Sequence, residues 1–218
     1  LRGLPELDAQ DIFVPGDISS AMFIIVGCLI SRKSKVIIKN VGLNELRTGG
    51  IEILKLMGAN IQIDNIRKYG PEKIGDIIVY SSELKGVNIP EKYIANAIDE
   101  FPILFIAAAN ASGKTILKNA MELRFKESDR LASMSKGLLK CNINNTLLDD
   151  GIEIEGGKIS GATIDSYDDH RIAMSFAIAG IASSSTITIL NTENVSTSFP
   201  GFDNLMRKMG LKIKRENI

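Results

Sequence analysis

The chain has 218 residues, of which 44% are hydrophobic and 24% charged, a composition typical of a soluble globular protein of one or two domains. Its 26 basic and 26 acidic residues give a formal net charge of zero, which argues against general nucleic-acid binding. The longest apolar stretch, Ala21–Ile30, is about ten residues and too short to cross a bilayer, and the N-terminus lacks the pattern of a secretory signal.

The first third of the chain predicts the order helix, strand, helix, strand, strand. Asp17 can cap the apolar helix that follows it, and Ser19 and Ser20 are expected to contribute to the same cap. The second helix is apolar on one side only, and the strands alternate between apolar and polar residues. The predicted elements are Ser19–Ile30, Lys35–Asn40, Gly49–Met57, Asn60–Asp64 and Asp76–Tyr80.

The same order of elements then recurs twice along the chain, without the final strand in the last third. Asp99 and Asp169 precede the next two apolar helices and are candidate N-caps, as Asp17 is for the first. In the middle third the predicted elements are Phe101–Ala111, Thr115–Asn119, Asp129–Cys141, Asn142–Leu148 and Ile152–Glu155. In the last third they are Arg171–Ala182, Thr186–Asn191, Phe202–Met209 and Leu211–Lys214.

The first strand of every third ends on an asparagine, at Asn40, Asn119 and Asn191. Together with the element order, this favours an α/β fold of three repeated units, at about 13–84, 85–160 and 161–218, over an ordinary α/β chain with coincidental similarity. The first helix of each unit is apolar almost all round and should be buried at the centre, whereas the one-sided second helix should lie nearer the surface.

Two short charged motifs stand at predicted helix starts: Lys-Glu-Ser-Asp-Arg at Lys126–Arg130 and Asp-Asp-His-Arg at Asp168–Arg171. A helix start offers free backbone N–H groups and the positive end of the dipole, so cationic side chains placed there make a site for phosphate or carboxylate. The neighbouring carboxylates add groups able to move protons. The pattern therefore indicates chemistry on an anionic substrate.

Four stretches resemble the C-terminal half of the enolpyruvylshikimate-phosphate synthases, a branch of the enolpyruvyl transferase family: Val14–Ala21, Lys126–Leu131, Asp168–Met174 and Ser198–Pro200. That family has two similar domains, each an inverse α/β barrel of three βαβαββ-type units around buried helices. The resemblance implies that 13–218 form one such domain and that 1–12 lie at the join to a missing N-terminal domain. Because the first residue is leucine rather than methionine, the chain is expected to be a piece of a longer protein.

The resemblance also implies an activity, the transfer of the enolpyruvyl group of phosphoenolpyruvate to the 5-hydroxyl of shikimate 3-phosphate with release of phosphate, in the shikimate pathway of aromatic amino acid biosynthesis. The expected partners are these substrates and the N-terminal half of the same enzyme, without nucleic acid, membrane, metal or organic cofactor. The parent enzyme is expected to be a cytoplasmic monomer, and Cys28 and Cys141, expected to be buried free thiols, agree with a reducing compartment. Because the family's active site lies between two domains, the isolated chain is expected to be inactive.

Two carboxylates take the catalytic roles that the resemblance implies. Asp99 matches the carboxylate that contacts the shikimate ring and acts as the base, with a helix N-cap as the alternative role. Glu127 matches the proton donor to the methylene carbon, a task that needs a raised pKa, while its cationic neighbours act in the other direction. The alternative for Glu127 is a solvated first-turn glutamate that pairs with Arg130.

The cations match substrate-binding positions of the family. Lys126 corresponds to a lysine shared between the two substrates. Arg130 and Arg171 correspond to the two arginines that hold phosphoenolpyruvate, a task suited to the planar guanidinium. His170, the single histidine, is expected to position other groups rather than transfer protons. Asp169 is expected to be a helix cap or an orienter of Arg171.

The chain departs from the family pattern at two positions. Many relatives have a phosphoenolpyruvate-binding lysine where Thr197 stands, and many have an asparagine that touches shikimate phosphate where Glu122 stands. Because a carboxylate facing a phosphate is repulsive, either Glu122 points away or another residue takes over.

Two other functions stay open on the sequence alone. One is that of the related transferase that acts on a UDP-amino sugar and uses a cysteine in the half absent here, although both charged motifs favour the shikimate branch. The other is that of a domain which binds an anion and catalyses nothing.

Overall fold

A computed structural model describes residues 11–70 and 72–216, together with Gly3 and Ala9. The helices are α1 (Ile18–Ile30), α2 (Gly49–Leu56), α3 (Phe101–Ala109), α4 (Arg130–Lys140), α5 (His170–Ala179), α6 (Val195–Ser198) and α7 (Phe202–Lys208). The strands are β1 (Lys35–Gly42), β2 (Asn60–Tyr69), β3 (Glu72–Tyr80), β4 (Lys114–Leu117), β5 (Asn145–Leu147), β6 (Ile152–Glu155), β7 (Thr163–Asp165) and β8 (Thr188–Leu190). Short 3-10 turns lie at Glu91–Tyr93, Ala95–Ala97 and Met121–Phe125.

Helices α1, α3 and α5 pack against one another in the core. All nine residues of α3 are buried, and α1 buries most of its length. A helix with packed neighbours on every side needs an apolar surface all round. The prediction that the apolar helices lie at the centre is therefore confirmed.

Helix α4 illustrates the one-sided helices. Leu131 and Met134 are buried, whereas Lys136 is exposed on the opposite face. Gly137 lies so close to Phe176 of α5 that a Cβ built on the glycine would stand 2.3 Å from the aromatic ring. This close approach lets α4 pack directly against α5 and brings the two charged motifs together.

Three small sheets pack against these helices. The first is antiparallel with the order β1-β3-β2, and the second is antiparallel with the order β4-β6-β5. The third is a parallel pair of β7 and β8. The first two sheets thus share one strand order, and the third differs from both.

The last third of the chain departs from the predicted element order. Leu211–Lys214 is not a strand in the described structure, and β7, which the sequence does not predict, pairs with β8. Leu211 and Ile213 pack against the core, so burial alone accounts for their apolar alternation. The strand predicted there is wrong, and the description of the chain as three repeated units stays a prediction.

The three asparagines predicted to end the first strands share one backbone conformation, but Asn40 lies inside β1, at the irregularity between Ile38 and Val41, whereas Asn119 and Asn191 follow β4 and β8. Asn40, Asn119 and Asn191 each have a φ of 58°, in the left-handed region that asparagine tolerates better than most residues. The backbone N–H of Asn40 donates to Asp76 at 2.8 Å, and that of Asn119 donates to Asp150 at 2.7 Å. The repeated asparagine therefore marks a bend that needs its particular conformational freedom.

Three further predictions concern the two cysteines, the segment 1–12 and membrane-spanning helices. Cys28 and Cys141 are buried free thiols, as predicted, and burial raises the pKa of both, that of Cys141 to about 11. The predicted join at 1–12 lies largely outside the described residues. Within the described part of the chain, no helix has both the length and the apolar character needed to span a membrane.

Candidate active site

The predicted site residues come together where α4 and α5 begin, beside the turn that leads into α3. Tyr167 and Asp168 have φ values of 54° and 57°, so the chain turns sharply just before α5. The side-chain amide of Asn194 donates to the Asp168 carbonyl at 2.6 Å and holds this turn. The turn directs the Asp169 carboxylate inward, where it is fully buried.

Asp169 caps α5 and binds Arg130. Its Oδ1 accepts from the Arg171 backbone N–H at 2.9 Å, which is the predicted cap. The same carboxylate accepts from Arg130 Nε at 2.9 Å and from Ser128 Oγ at 3.1 Å. Burial acts to raise the pKa of Asp169, but the hydrogen bond and charge of Arg130 outweigh it, so the pKa is below its ordinary value.

Arg130 is the largest fully buried side chain among the described residues. Its Nη2 donates to Glu127 Oε2 at 2.5 Å, and its Nη1 has no hydrogen-bond partner although it is buried. The closest carboxylate recorded for Nη1 is that of Asp99, at 3.7 Å. Leaving a buried donor unpaired is costly, so this N–H is available for an anion that enters beside Asp99.

The ion pair between Glu127 and Arg130 matches the alternative given for Glu127, but its position does not. Glu127 lies in the loop before α4 rather than in the first turn, because the N-cap of the helix is Asp129. Its side chain is half-exposed. A carboxyl group held by one arginine and open to solvent on its other side can still meet a substrate.

A second arginine fixes the loop that carries the first motif. Arg124 Nη1 donates to Asp129 Oδ2 at 2.7 Å, and Arg124 Nη2 donates to the Leu148 carbonyl at 2.7 Å. The other oxygen of Asp129 accepts from the Ala132 backbone N–H at 2.9 Å and caps α4. The start of α4 is thus held from both sides, which fixes where Arg130 enters the core.

The Asp99 carboxylate lies in the candidate site and does not cap a helix. The residue before α3 is Glu100, and no side chain caps that helix, so the N-cap predicted for Asp99 is wrong. Instead its Oδ1 lies 3.5 Å from Lys126 Nζ. Burial acts to raise the pKa of Asp99, but the charges of Arg171, Lys126 and Arg130 outweigh it, so the carboxylate is ionised at neutral pH.

Glu122 pairs with the motif lysine. Lys126 Nζ donates to Glu122 Oε1 at 2.7 Å, and this bond is the main reason that the pKa of Lys126 is raised. The Glu122 side chain is 65% exposed. Glu122 thus lies at the exposed edge of the cluster and pairs with its lysine. Thr197, the other departure, lies exposed in α6.

Arg171 reaches from α5 to the turn before α3. Its Nη1 donates to the Asp99 carbonyl at 2.9 Å, so its guanidinium is oriented by this backbone rather than by Asp169. The adjacent His170 is partly buried. Burial and the charge of Arg171 lower the pKa of His170, so the imidazole is neutral at neutral pH. A neutral ring agrees with the predicted positioning role.

Two residues of this region, Glu100 and Arg47, are missed by the sequence reasoning. Glu100 is buried and accepts a hydrogen bond from Ser19 Oγ. Arg47 Nη2 donates to the same hydroxyl at 2.8 Å. Ser19 is therefore not part of the α1 cap, which Asp17 provides by accepting from the backbone N–H groups of Ser19 and Ser20. The available signal was a charged residue directly before an otherwise wholly apolar helix.

The cluster joins cations, carboxylates and helix N-termini in one place. Arg130, Arg171 and Lys126 surround Asp99, and the starts of α4 and α5 add their positive ends. Such a site can hold a phosphate or a carboxylate, and an ionised Asp99 inside it can accept a proton from a bound hydroxyl. Among the described residues, no three of His, Cys, Asp or Glu are arranged to hold a metal ion.

Known structures define the class of protein to which this fold and site belong. The chain superposes on an enolpyruvyl transferase, NikO from Streptomyces tendae, with a TM-score of 0.74 over 95% of this chain and 46% of that one; at 17% identity this likeness concerns the fold alone. It superposes on an EPSP synthase from Acinetobacter baumannii with a TM-score of 0.91 and 50% identity, over 94% of this chain and 48% of that one. The fold is thus the α/β fold of enolpyruvyl transferases.

Sequence comparison identifies the particular family. The family model for EPSP synthase (3-phosphoshikimate 1-carboxyvinyltransferase) matches residues 1–214, so the chain belongs to the EPSP synthase family. The 3-phosphoshikimate 1-carboxyvinyltransferase of Legionella pneumophila (strain Lens) is 54% identical over 87% of this chain and 44% of that protein. The one from Coxiella burnetii (strain RSA 493 / Nine Mile phase I) is 47% identical over 98% of this chain and 49% of that protein. The chain therefore spans about half the length of the curated relatives it matches.

Proposed function

We propose that this chain is one half of a transferase that moves the enolpyruvyl group of phosphoenolpyruvate to the 5-hydroxyl of shikimate 3-phosphate and releases phosphate. The reaction belongs to the shikimate pathway of aromatic amino acid biosynthesis. The observation that carries the proposal is the fully buried Arg130, whose Nη1 has no hydrogen-bond partner and faces Asp99. The charges of Lys126 and Arg171 lie on either side of the same carboxylate. The names of the relatives favour this reaction over the UDP-amino-sugar alternative.

The cations would bind the two anionic substrates. Arg130 and Arg171 would hold phosphoenolpyruvate, and Lys126 would lie between phosphoenolpyruvate and shikimate 3-phosphate. Support comes from their placement: Lys126 and Arg130 both face the Asp99 carboxylate, and Arg171 is tied to the Asp99 backbone. An anion that replaces part of these carboxylate contacts would keep every cation paired.

The carboxylates would move the protons. Asp99 would contact the shikimate ring and accept the proton of the attacking 5-hydroxyl, a role that suits a carboxylate with a lowered pKa. Glu127 would protonate the methylene carbon and take a proton back when phosphate leaves. Asp169 and His170 would support these groups, Asp169 by fixing Arg130. No metal or organic cofactor enters this scheme.

The domain organisation is part of the same proposal. Residues 13–218 would form one domain, an inverse α/β barrel of three units at about 13–84, 85–160 and 161–218, with 1–12 at the join to an N-terminal half. The shared strand order of the first two sheets supports the repeat, and the half-length coverage of the relatives supports a second half. The parent enzyme would be a cytoplasmic monomer.

The test is turnover by this chain alone and after combination with the matching N-terminal half, which we call the reconstituted pair. Phosphate release from phosphoenolpyruvate and shikimate 3-phosphate is followed in both cases. We expect activity only in the pair, because the isolated chain holds only part of the site. The substitution Asp99→Asn should abolish most of the turnover by the reconstituted pair. The substitution Asp203→Asn, which changes a surface carboxylate paired with Arg207, should not.

Two results would contradict the proposal. Turnover by the highly purified chain alone would show that the site is not split between two halves. No turnover by the pair, with both halves folded and associated, would favour a domain that binds an anion without catalysis.

A further inference from the structure

A buried glutamate connects the proposed site to two other parts of the fold. Glu100 is 2% exposed, and its Oε1 accepts a hydrogen bond from Ser19 Oγ at the start of α1. The same oxygen lies 3.9 Å from Arg171 Nη1 and 3.8 Å from Arg47 Nη2. One buried carboxylate oxygen thus stands between two guanidinium groups, of which only Arg171 belongs to the cluster described above.

Gly49 lets the start of α2 lie against the segment before α3. A Cβ built on Gly49 would stand 2.8 Å from the backbone of Tyr93 and Asn96, whereas one built on Gly50 would stand 2.9 Å from Met22 Cε and, at 3.5 Å, in ordinary contact with Glu100 Cβ. The start of α2 therefore packs closely on the 3-10 turns before α3. That approach brings Arg47, which precedes α2, onto Glu100.

The charges around Glu100 oppose each other. Burial raises the pKa of Glu100, while the hydrogen bond from Ser19 and the charges of Arg171 and Arg47 act to lower it. The titratable and charged groups that face it are Arg171 from α5, Arg47 from the segment before α2 and the neighbouring Asp99. Without the carboxylate, the two guanidinium groups would share this space with no counter-charge between them.

We propose that Glu100 is a positioning residue that holds the Arg171 guanidinium in the orientation needed to bind phosphoenolpyruvate, and that Arg47 and Ser19 fix Glu100 for this task. The inference rests on the proposed function. Arg171 Nη1 is then held by two groups, the Asp99 carbonyl at 2.9 Å and the Glu100 carboxylate at 3.9 Å. Neither contact uses up the whole guanidinium, so its remaining N–H groups stay available to the substrate.

The test uses the reconstituted pair and the variant Glu100→Gln, which keeps the size of the side chain and removes its charge. We expect KM for phosphoenolpyruvate to rise on the order of tenfold, as loss of an ordered charge contact would give. KM for shikimate 3-phosphate should change far less, because Arg171 is assigned to the other substrate. Glu52→Gln is the matched control, since Glu52 lies on the surface of α2 and pairs with Lys55.

A double-substitution cycle connects the effect to Arg171. In an Arg171→Lys background, Glu100→Gln should add little to KM for phosphoenolpyruvate, because the two residues would act through one contact. A purely structural role would lower the amount of active enzyme, and hence apparent kcat, without moving KM. An unchanged KM, equal rises in KM for both substrates, or additive effects in the cycle would each overturn the inference while the proposed function stands. No turnover by the unmodified pair would overturn both.

Discussion

The two ends of the core helices differ in what they offer a ligand. Where α3 and α5 begin, Arg130, Arg171 and Lys126 gather around Asp99. Where α1 and α3 end, a cavity of about 320 Å³ lies between loops, and its lining includes Ser31 and the carboxylate of Glu83. Among the described residues that line this cavity there is no lysine or arginine.

In this fold, charge rather than cavity size distinguishes the candidate site. Helix N-termini carry partial positive charge and C-termini partial negative charge, so the two ends of the same helices attract ligands of opposite sign. The cationic end also contains Arg130 Nη1, which is buried and has no hydrogen-bond partner.

Arg130→Ala is expected to have the largest effect, because it removes a proposed substrate contact and leaves the buried Asp169 carboxylate unpaired. Breaking a buried ion pair in this way costs about 3–5 kcal/mol. We expect a loss of that size in the free energy of unfolding, measured with urea, and loss of turnover by the reconstituted pair. Ser31→Ala, at the opposite end of α1, should cost at most about 1 kcal/mol for its hydrogen bond to the Gly27 carbonyl. Equal losses at both ends would contradict the comparison.

Asp99→Asn should separate catalysis from stability. Removal of a general base typically lowers the rate about 100- to 10,000-fold, and we expect a loss in this range for kcat of the reconstituted pair. The free energy of unfolding should fall by much less than in Arg130→Ala, because the Asp99 side chain is one-third exposed and makes no helix cap, although its lowered pKa means that its charge contributes to stability at neutral pH. Glu83→Gln, in the cavity at the opposite end, should leave both quantities unchanged. Retained turnover in Asp99→Asn would exclude Asp99 as the base.

The pH dependence of stability should have opposite signs for two carboxylates on the charged side of the fold. The pKa of Asp169 is lowered, so its contribution is present above the pKa of the unfolded chain and is lost as pH falls through the folded value. The pKa of Glu100 is raised, so its contribution is present below the unfolded value and is lost as pH rises through the folded one. To test this, the free energy of unfolding in urea is measured at several pH values for the unmodified chain and for the variants Asp169→Asn and Glu100→Gln.

The stability difference between the unmodified chain and Asp169→Asn should shrink as the solution is acidified below about pH 4, near the ordinary pKa of aspartate. On acidification the free energy of unfolding of the unmodified chain should instead rise relative to that of Glu100→Gln. Parallel curves for the two variants would contradict the opposite pKa shifts.

Sequence reasoning predicted what depends on local patterns. The central helices follow from their apolar character, and the cluster of Lys126, Arg130 and Arg171 follows from two motifs at helix starts. It failed where the structure of a segment depends on whether a second segment of the chain pairs with it. Leu211 and Ile213 alternate like a strand but lack a paired neighbour among the described residues, and β7 becomes a strand only because β8 lies beside it.

Residues that act through distant contacts were missed for a similar reason. The contacts of Glu100 are with Ser19 and Arg47, which are far from it in the chain. Asp99 looked like a helix cap because it stands near a helix start, but the helix begins one residue too late for that role. No periodicity or spacing along the chain encodes these pairings, since they depend on how α1, α2 and α3 meet.

Glu122→Gln is expected to have the smallest effect and the opposite direction. The exposed Glu122 carboxylate pairs with Lys126 at 2.7 Å and competes with an anion for its charge. Because exposed ion pairs are worth at most about 1 kcal/mol, the variant should tighten binding of phosphoenolpyruvate to the reconstituted pair by up to about fivefold. Glu153→Gln is the control, since it removes an equivalent pair with Lys114 at 2.9 Å away from the cluster.

The direction of this change decides what Glu122 does. Tighter binding would mean that the carboxylate lowers the affinity of the charged end for anions, and that relatives with asparagine at this position lack this competition. Weaker binding would mean that Glu122 instead holds Lys126 in place between itself and Asp99, where Lys126 Nζ lies 3.5 Å from the aspartate. Calorimetric titration of both variants at low salt distinguishes the two, because screening by added salt reduces the effect of an exposed charge.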